Sequence, residues 1–188
     1  MFELREFLSR QALVPSLRLM RDRLAARPDY QDVRKWGARF DRAYPKTPHE
    51  ARVTEVAIGD VKALWIGAKG ARKSRVILYL HGGAFVVETP SLHSSLVARI
   101  AKEARARALM PSYRLAPEHP FPAALDDCLS AYRFLLDSGF RAADIVVAGD
   151  SAGGNLTLAL LLRARDECLP LPAGAVAMSP LTDATFGG

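Results

Sequence analysis

Cysteine is scarce in this sequence. Cys128 and Cys168 are the only two, too few for the disulfide framework that staples small secreted domains. Each falls within an apolar, helix-like pattern, which reads as a reduced, buried thiol. Long apolar runs are lacking as well: Met1 to Met20 interrupts its leucines with Glu3, Arg5, Glu6 and Arg10, unlike a signal peptide or a membrane span. No basic run is interleaved with aromatics of the kind that stack on nucleic-acid bases. His, Cys and Asp do not cluster at metal-ligand spacing. These gaps lead us to expect a cytoplasmic protein with no metal, no organic cofactor, no nucleic-acid partner and no stable insertion into a membrane.

What is present is the composition of a soluble globular protein, 49% hydrophobic and 24% charged over 188 residues. The net charge of +6 is uneven, because residues 1–50 hold eleven Lys/Arg against seven Asp/Glu. There Arg18, Arg21 and Arg23 alternate with Leu17, Leu19, Met20 and Leu24, the pattern of a solvated helix face.

Hydrophobic spacing divides the chain into residues 1–48, read as an N-terminal helical cap, and residues 49–188, read as a core. In the first part Leu4, Phe7, Leu8, then Leu17, Met20, Leu24, then Val33, Trp36, Phe40 recur at three- and four-residue steps. Val53–Ile58 and Val61–Ile66 flank Gly59-Asp60 and predict an antiparallel hairpin at a sheet edge. From Arg75 onward continuous apolar runs, Val76–Leu80, Ile145–Ala148 and Ala175–Met178, with a weaker one at Ala108–Met110, predict strands covered on both faces. Three helices fill the intervals. The first should bury Leu92, Leu96 and Ile100, and the second Phe121, Leu125, Cys128, Tyr132 and Leu135, stopping at Gly139. The third, from Ala152, is apolar on nearly every side through Leu162 and should be fully buried. Alternating strands and helices make the class α/β with a mostly parallel sheet.

Two short segments carry chemistry. Gly149-Asp150-Ser151-Ala152-Gly153 fits G-x-S-x-G and joins a buried strand directly to a helix, the setting in which a sharp turn raises a serine hydroxyl above the C-terminal edge of a sheet. The helix start also aims unpaired N–H groups at developing negative charge. His81-Gly82-Gly83-Ala84-Phe85 follows another strand at the same end of the sheet. Its backbone N–H groups at Gly83 and Ala84, with Gly82 as a further candidate, can stabilise an oxyanion together with the N–H of Ala152.

With Tyr113 to Asp127 (Y-R-L-A-P-E-H-P-F-P-A-A-L-D-D) added to H-G-G-A-F and G-D-S-A-G-G-N-L, the sequence resembles the hormone-sensitive-lipase group of α/β-hydrolases, the bacterial family IV esterases. The resemblance covers about Val53 to Thr182 and extends loosely to an N-terminal cap. It implies a carboxylic ester hydrolase with Ser151 as nucleophile, an oxyanion hole from Gly82, Gly83, Ala84 and Ala152, and small soluble esters or lactones as substrates. A third glycine commonly stands where this sequence has Ala84. Arg114, Glu118 and Asp127 are expected to pair or cap so as to fix their loop, and His81 to brace the oxyanion loop.

The triad is incomplete on this reading. Its chain order in the fold is Ser, then Asp/Glu, then His, and no histidine follows Ser151. His49, His81, His93 and His119 are poor candidates for the base. Asp183 is expected to be structural, with the acid and the base lying beyond Gly188 in a segment missing here or supplied by another chain. The sheet would then show an unpaired apolar edge, and a homo-oligomer remains open. The competing reading is a receptor-like, non-catalytic small-molecule binder on the same fold whose triad base has been lost.

Overall fold

The computed structural model describes residues 29–43, 51–68 and 70–183. The helices expected over residues 2–28, the linker with His49 and the terminal Gly187-Gly188 lie outside the described residues.

Among the described residues six strands form one sheet: β1 (Ala51–Ile58), β2 (Val61–Ala68), β3 (Val76–Leu80), β4 (Arg107–Pro111), β5 (Ile145–Asp150) and β6 (Gly174–Met178), in the order β1-β2-β4-β3-β5-β6. The expected hairpin is there, with Ile58 opposite Val61 across Gly59-Asp60 and Gly59 at φ +58. β2 also runs antiparallel to β4, whereas β4, β3, β5 and β6 are mutually parallel. Around the sheet lie α1 (Tyr30–Ala43), α2 (Pro90–Glu103), α3 (Ala123–Asp137) and α4 (Ala152–Asp166).

β3 sits between β4 and β5, and all five of its residues are buried. Its pleat divides the core in two, as alternation across a strand requires. Val76, Leu78 and Leu80 pack with Leu125, Leu129, Tyr132 and Leu135 of α3 and Leu156 and Leu160 of α4. Ile77 and Tyr79 point the other way, into a cluster with Val97, Ala98 and Ala101 of α2.

Several burial expectations need correction. On α2 the buried face is His93, Ser94, Ser95, Val97, Ala98 and Ala101, while Leu96 is 38% exposed. The helix approaches the sheet through small and polar side chains because its first turns meet the polar groups at the C-terminal ends of the strands, described below. Phe121 is exposed and precedes α3, which begins only after Pro122. α4 buries Gly153, Gly154, Leu156, Thr157, Leu160 and Ala164 but leaves Leu158 and Leu162 exposed, so it lies on the sheet with one open face. β6 is the outer strand on the parallel side of the sheet among the described residues, and Val176 on it is half exposed. Cys128 is buried as expected, whereas Cys168 is exposed. Cys168 lies just past α4 at φ +55, with Leu169 N–H donating to Ala164 O and its own N–H to Arg165 O, so it closes a Schellman cap rather than filling an apolar helix face. Gly139 plays the same part after α3, at φ +88.

Candidate active site

The strand β5 ends in a turn that Ser151 can occupy only in an unusual conformation. Its φ of +53 with ψ of −116 is sparsely populated for a residue with a side chain, and such conformations cost about 1–3 kcal/mol each. The turn is held from both sides. Ser151 N–H donates to Met178 O (2.9 Å) at the end of β6, and Leu181 N–H and Asn155 N–H each donate to Ser151 O (3.1 Å). The Asn155 side-chain amide ties the same post-β6 loop down by donating to Leu181 O at 2.7 Å. Gly153 is needed because a Cβ there would collide with the carbonyl oxygen of Leu80. The serine is exposed, and the N–H of Ala152, the first residue of α4, makes no hydrogen bond among the described residues.

The residues expected to form the oxyanion loop follow β3 immediately. Gly83 has φ +132, and a Cβ on it would run into Val87 O. Ala84 (φ +53) and Phe85 (φ +63) continue the left-handed run, which explains why a glycine suits the Ala84 position. Val86 and Val87 N–H both donate to Gly83 O at 3.0 Å and close the turn. Gly83 and Ala84 N–H make no hydrogen bond among the described residues. Gly82 differs from the expectation: its N–H donates to Asp150 Oδ1 at 3.0 Å. It is thereby committed to holding the loop and is withdrawn from the expected donor set, leaving Gly83, Ala84 and Ala152.

Asp150, the variable residue of G-x-S-x-G, was not singled out by sequence reasoning. Its carboxylate accepts the Gly82 N–H and the Tyr79 hydroxyl (2.9 Å), and His93 Nε2 stands 3.5 Å away. Burial works to raise its pKa, but His93, the Tyr79 hydroxyl and the Gly82 N–H together outweigh burial and hold the carboxyl below its ordinary value. Burial, with Asp150 beside it, pushes the Tyr79 phenol well up, so Tyr79 remains a donor.

His81 braces the loop as expected. Its ring stacks on Tyr113 at 4.1 Å, nearly parallel, and its Nδ1–H donates to Gly82 O at 2.8 Å, since a carbonyl can only accept. Tyr113 O–H in turn donates to His81 O (2.7 Å). Burial lowers the His81 pKa, against the opposing pull of Glu88, and keeps the ring neutral. Its Nε2 has no hydrogen-bond partner among the described residues and faces Glu88 Oε1 at 4.0 Å. Neither His81, His93 nor His119 bonds the Ser151 hydroxyl.

The loop after β4 is fixed by two ion pairs. Arg114 forks onto the buried Asp127 with its backbone N–H (2.8 Å), Nε (3.0 Å) and Nη2 (2.7 Å). Glu118 receives both terminal nitrogens of Arg34 from α1, at 2.7 and 2.6 Å. The Arg34 hydrogen bond holds the Glu118 carboxyl down at about 2. The three residues thus pair as expected, but Arg34, on the other side of Glu118, had no local signal. Among the described residues there is no cluster of metal-ligating side chains and no helix long and apolar enough to cross a membrane.

Residues 77–187 match a family model described as alpha/beta hydrolase fold. An acetyl-hydrolase of Streptomyces hygroscopicus is 42% identical over 134 residues, covering 71% of this chain and 44% of that protein. A carboxylesterase/phospholipase of Mycobacterium tuberculosis is 44% identical over 140 residues, covering 71% and 37%. A crystal structure of an esterase from the bacterial hormone-sensitive lipase family superposes with a TM-score of 0.78 at 39% identity, covering 83% of this chain and 52% of that one. The chain thus spans about half the length of the relatives it matches.

Proposed function

This chain belongs to the α/β-hydrolase family, within its hormone-sensitive-lipase group, and on that premise we propose that the protein hydrolyses carboxylic esters through an acyl-serine intermediate on Ser151. The observation that carries the reading is the strained, exposed serine at φ +53 between β5 and α4, beside a loop whose Gly83 and Ala84 N–H groups are free of intramolecular partners among the described residues. Ser151 Oγ attacks the ester carbonyl carbon as its proton passes to a base. The carbonyl oxygen takes negative charge, which the N–H groups of Gly83, Ala84 and Ala152 stabilise, each donor being worth about 3–4 kcal/mol. Collapse expels the alcohol, which takes up the proton, and water then releases the acid from the acyl-serine.

We assign the base and its orienting carboxylate to sequence following Gly188, in keeping with the order Ser, acid, His. An unassisted serine hydroxyl is a weak nucleophile. Small soluble esters, acetyl esters or lactones are the proposed substrates, in line with the acetyl-hydrolase and esterase names of the relatives. Residues 1–48 are proposed to cap the site over a core from residue 49, and the two unpaired cysteines favour the cytoplasm. A serine-directed fluorophosphonate applied to the full-length protein, with peptide mapping and p-nitrophenyl acetate or butyrate turnover, tests the assignment. The label is expected on Ser151, and Ser151→Ala should abolish turnover. A label elsewhere, or full activity in Ser151→Ala, would refute it. Ligand binding with neither labelling nor turnover would identify a binder instead.

A further inference from the structure

α1 lies across the oxyanion loop through residues that share one of its faces. Arg34, Gly37 and Asp41 are spaced three and four apart, so they line up along the helix. Asp41, buried, accepts Ser91 N–H (3.2 Å) and Leu92 N–H (2.8 Å) and so caps α2 from outside. Gly37 sits where a Cβ would collide with Val87 Cγ2, which brings the α1 backbone close to the turn that Gly83 closes. Arg34 uses its whole guanidinium: Nε donates to Val86 O at 2.7 Å, Nη2 to Ala116 O at 3.0 Å, and Nη1 and Nη2 to the two Glu118 oxygens. Val86 belongs to the turn that presents Gly83 and Ala84, because its N–H donates to Gly83 O. Ala116 N–H in turn donates to Phe85 O at 2.8 Å. One side chain therefore joins α1, the oxyanion loop and the loop after β4.

We propose that Arg34 is a positioning residue for ester hydrolysis: its planar fork fixes the Gly83–Val87 turn, so that α1 is a working part of the oxyanion hole. The inference rests on the esterase reading above. The turn needs such a brace because three consecutive residues, Gly83, Ala84 and Phe85, have positive φ, a conformation that persists only when its surroundings enforce it. Charge alone does not explain the arrangement. Two of Arg34's acceptors are neutral backbone carbonyls, and the Glu118 pair is partly exposed, where solvent screening keeps the contribution of ion pairing small. A lysine would supply a point charge but not a fork.

The test compares the full-length protein with Arg34→Lys and Arg34→Ala in p-nitrophenyl butyrate turnover and in inhibition by a trifluoromethyl ketone, which forms an oxyanion adduct with a serine. Both variants are expected to lose at least about tenfold in kcat with KM changed less, since small displacements of a reacting group cost up to about a hundredfold. The inhibition constant should rise in step. A purely structural role would lower the number of titratable sites while leaving kcat per site and the inhibition constant unchanged, and that result would overturn the proposal, as would full rescue by lysine. If Arg34→Ala does not fold, Arg34→Lys carries the test, with hydrogen exchange of the Val86 and Val87 amides as a second readout. Faster exchange there, with α3 and α4 unchanged, supports the brace, and unchanged exchange overturns it. Failure of the parent protein to label at Ser151 would sink the esterase reading itself, and exchange would then decide alone whether Arg34 holds the loop.

Discussion

Asp150 Oδ1 accepts the Gly82 N–H at 3.0 Å, so the residue that precedes the proposed nucleophile Ser151 also anchors the start of the proposed oxyanion loop. Serine and loop are thereby registered to each other through one carboxylate at the ends of two adjacent parallel strands, β3 and β5. The same oxygen takes the Tyr79 hydroxyl, which is fully buried with its ring.

Asp150→Ala is expected to destabilise the fold and slow catalysis together. It strands a buried hydroxyl and removes two hydrogen bonds to a charged acceptor, which suggests a loss of at least about 2 kcal/mol. Urea unfolding gives the first quantity and phosphonate labelling at Ser151 the second. Asp150→Asn keeps one acceptor and should fall between variant and parent. Wild-type stability and labelling in Asp150→Ala would remove the carboxylate from any part in registering the site.

Ala84 gives a prediction of the opposite sign. At φ +53 a side chain costs roughly 1–2 kcal/mol relative to glycine, while glycine loosens the unfolded chain by about 0.4–1 kcal/mol. The first effect is the larger, so Ala84→Gly should stabilise by up to about 1 kcal/mol, with turnover unchanged because the N–H remains. A clear loss of stability in denaturant titration would show that the methyl group makes contacts worth more than the strain.

How far the sequence could be read follows the range of the interactions. Val76–Leu80 was legible because a strand buried on both faces must be apolar throughout, and Ser151 because its elbow needs small neighbours at fixed offsets. The Gly59-Asp60 hairpin and the Gly139 stop are equally local. Leu96, Leu158 and Leu162 misled because an apolar residue is permitted on a surface, whereas the polar His93 is buried and Asp150 half-buried only because partners elsewhere in the chain satisfy them. Arg34 meets Val86 and Glu118 across 52 and 84 positions, and nothing within its own helix announces either contact.

The buried His81 sets a pH dependence. Burial lowers its pKa below the ordinary 6.5, so the unfolded chain binds a proton more readily than the folded one. Its neutral form therefore contributes stability in full above about pH 6.5, and this is lost as pH falls toward the folded value. Asp150, held below 3.8, loses its contribution only at still lower pH, as does Glu118, so the interval from about pH 7 to 5 reports mainly on the histidine. Urea midpoints should decline across it in the parent and decline less in His81→Gln. Parallel slopes in the two proteins would show that His81 is not the group responsible.

The strictest demand on the site falls on Gly83. Its φ of +132 is closed to side chains, and an added Cβ would meet Val87 O, the backbone of the same turn, which cannot move aside without opening the hydrogen bonds from Val86 and Val87 to Gly83 O. Gly83→Ala must then either distort the turn or rotate the peptide that carries the Gly83 N–H, and both outcomes misplace a proposed oxyanion donor. Losing one such donor lowers turnover by about 10²–10³-fold, so kcat for p-nitrophenyl butyrate should fall by at least about a hundredfold. Because the loop lies on the surface of the core rather than within it, the far-ultraviolet spectrum and the burial of Cys128, read by thiol titration, should stay at parent values. A folded Gly83→Ala protein with near-parent turnover would mean that the oxyanion is stabilised by groups other than this loop, and the Gly83 and Ala84 N–H groups, which have no partner among the described residues, would need another purpose.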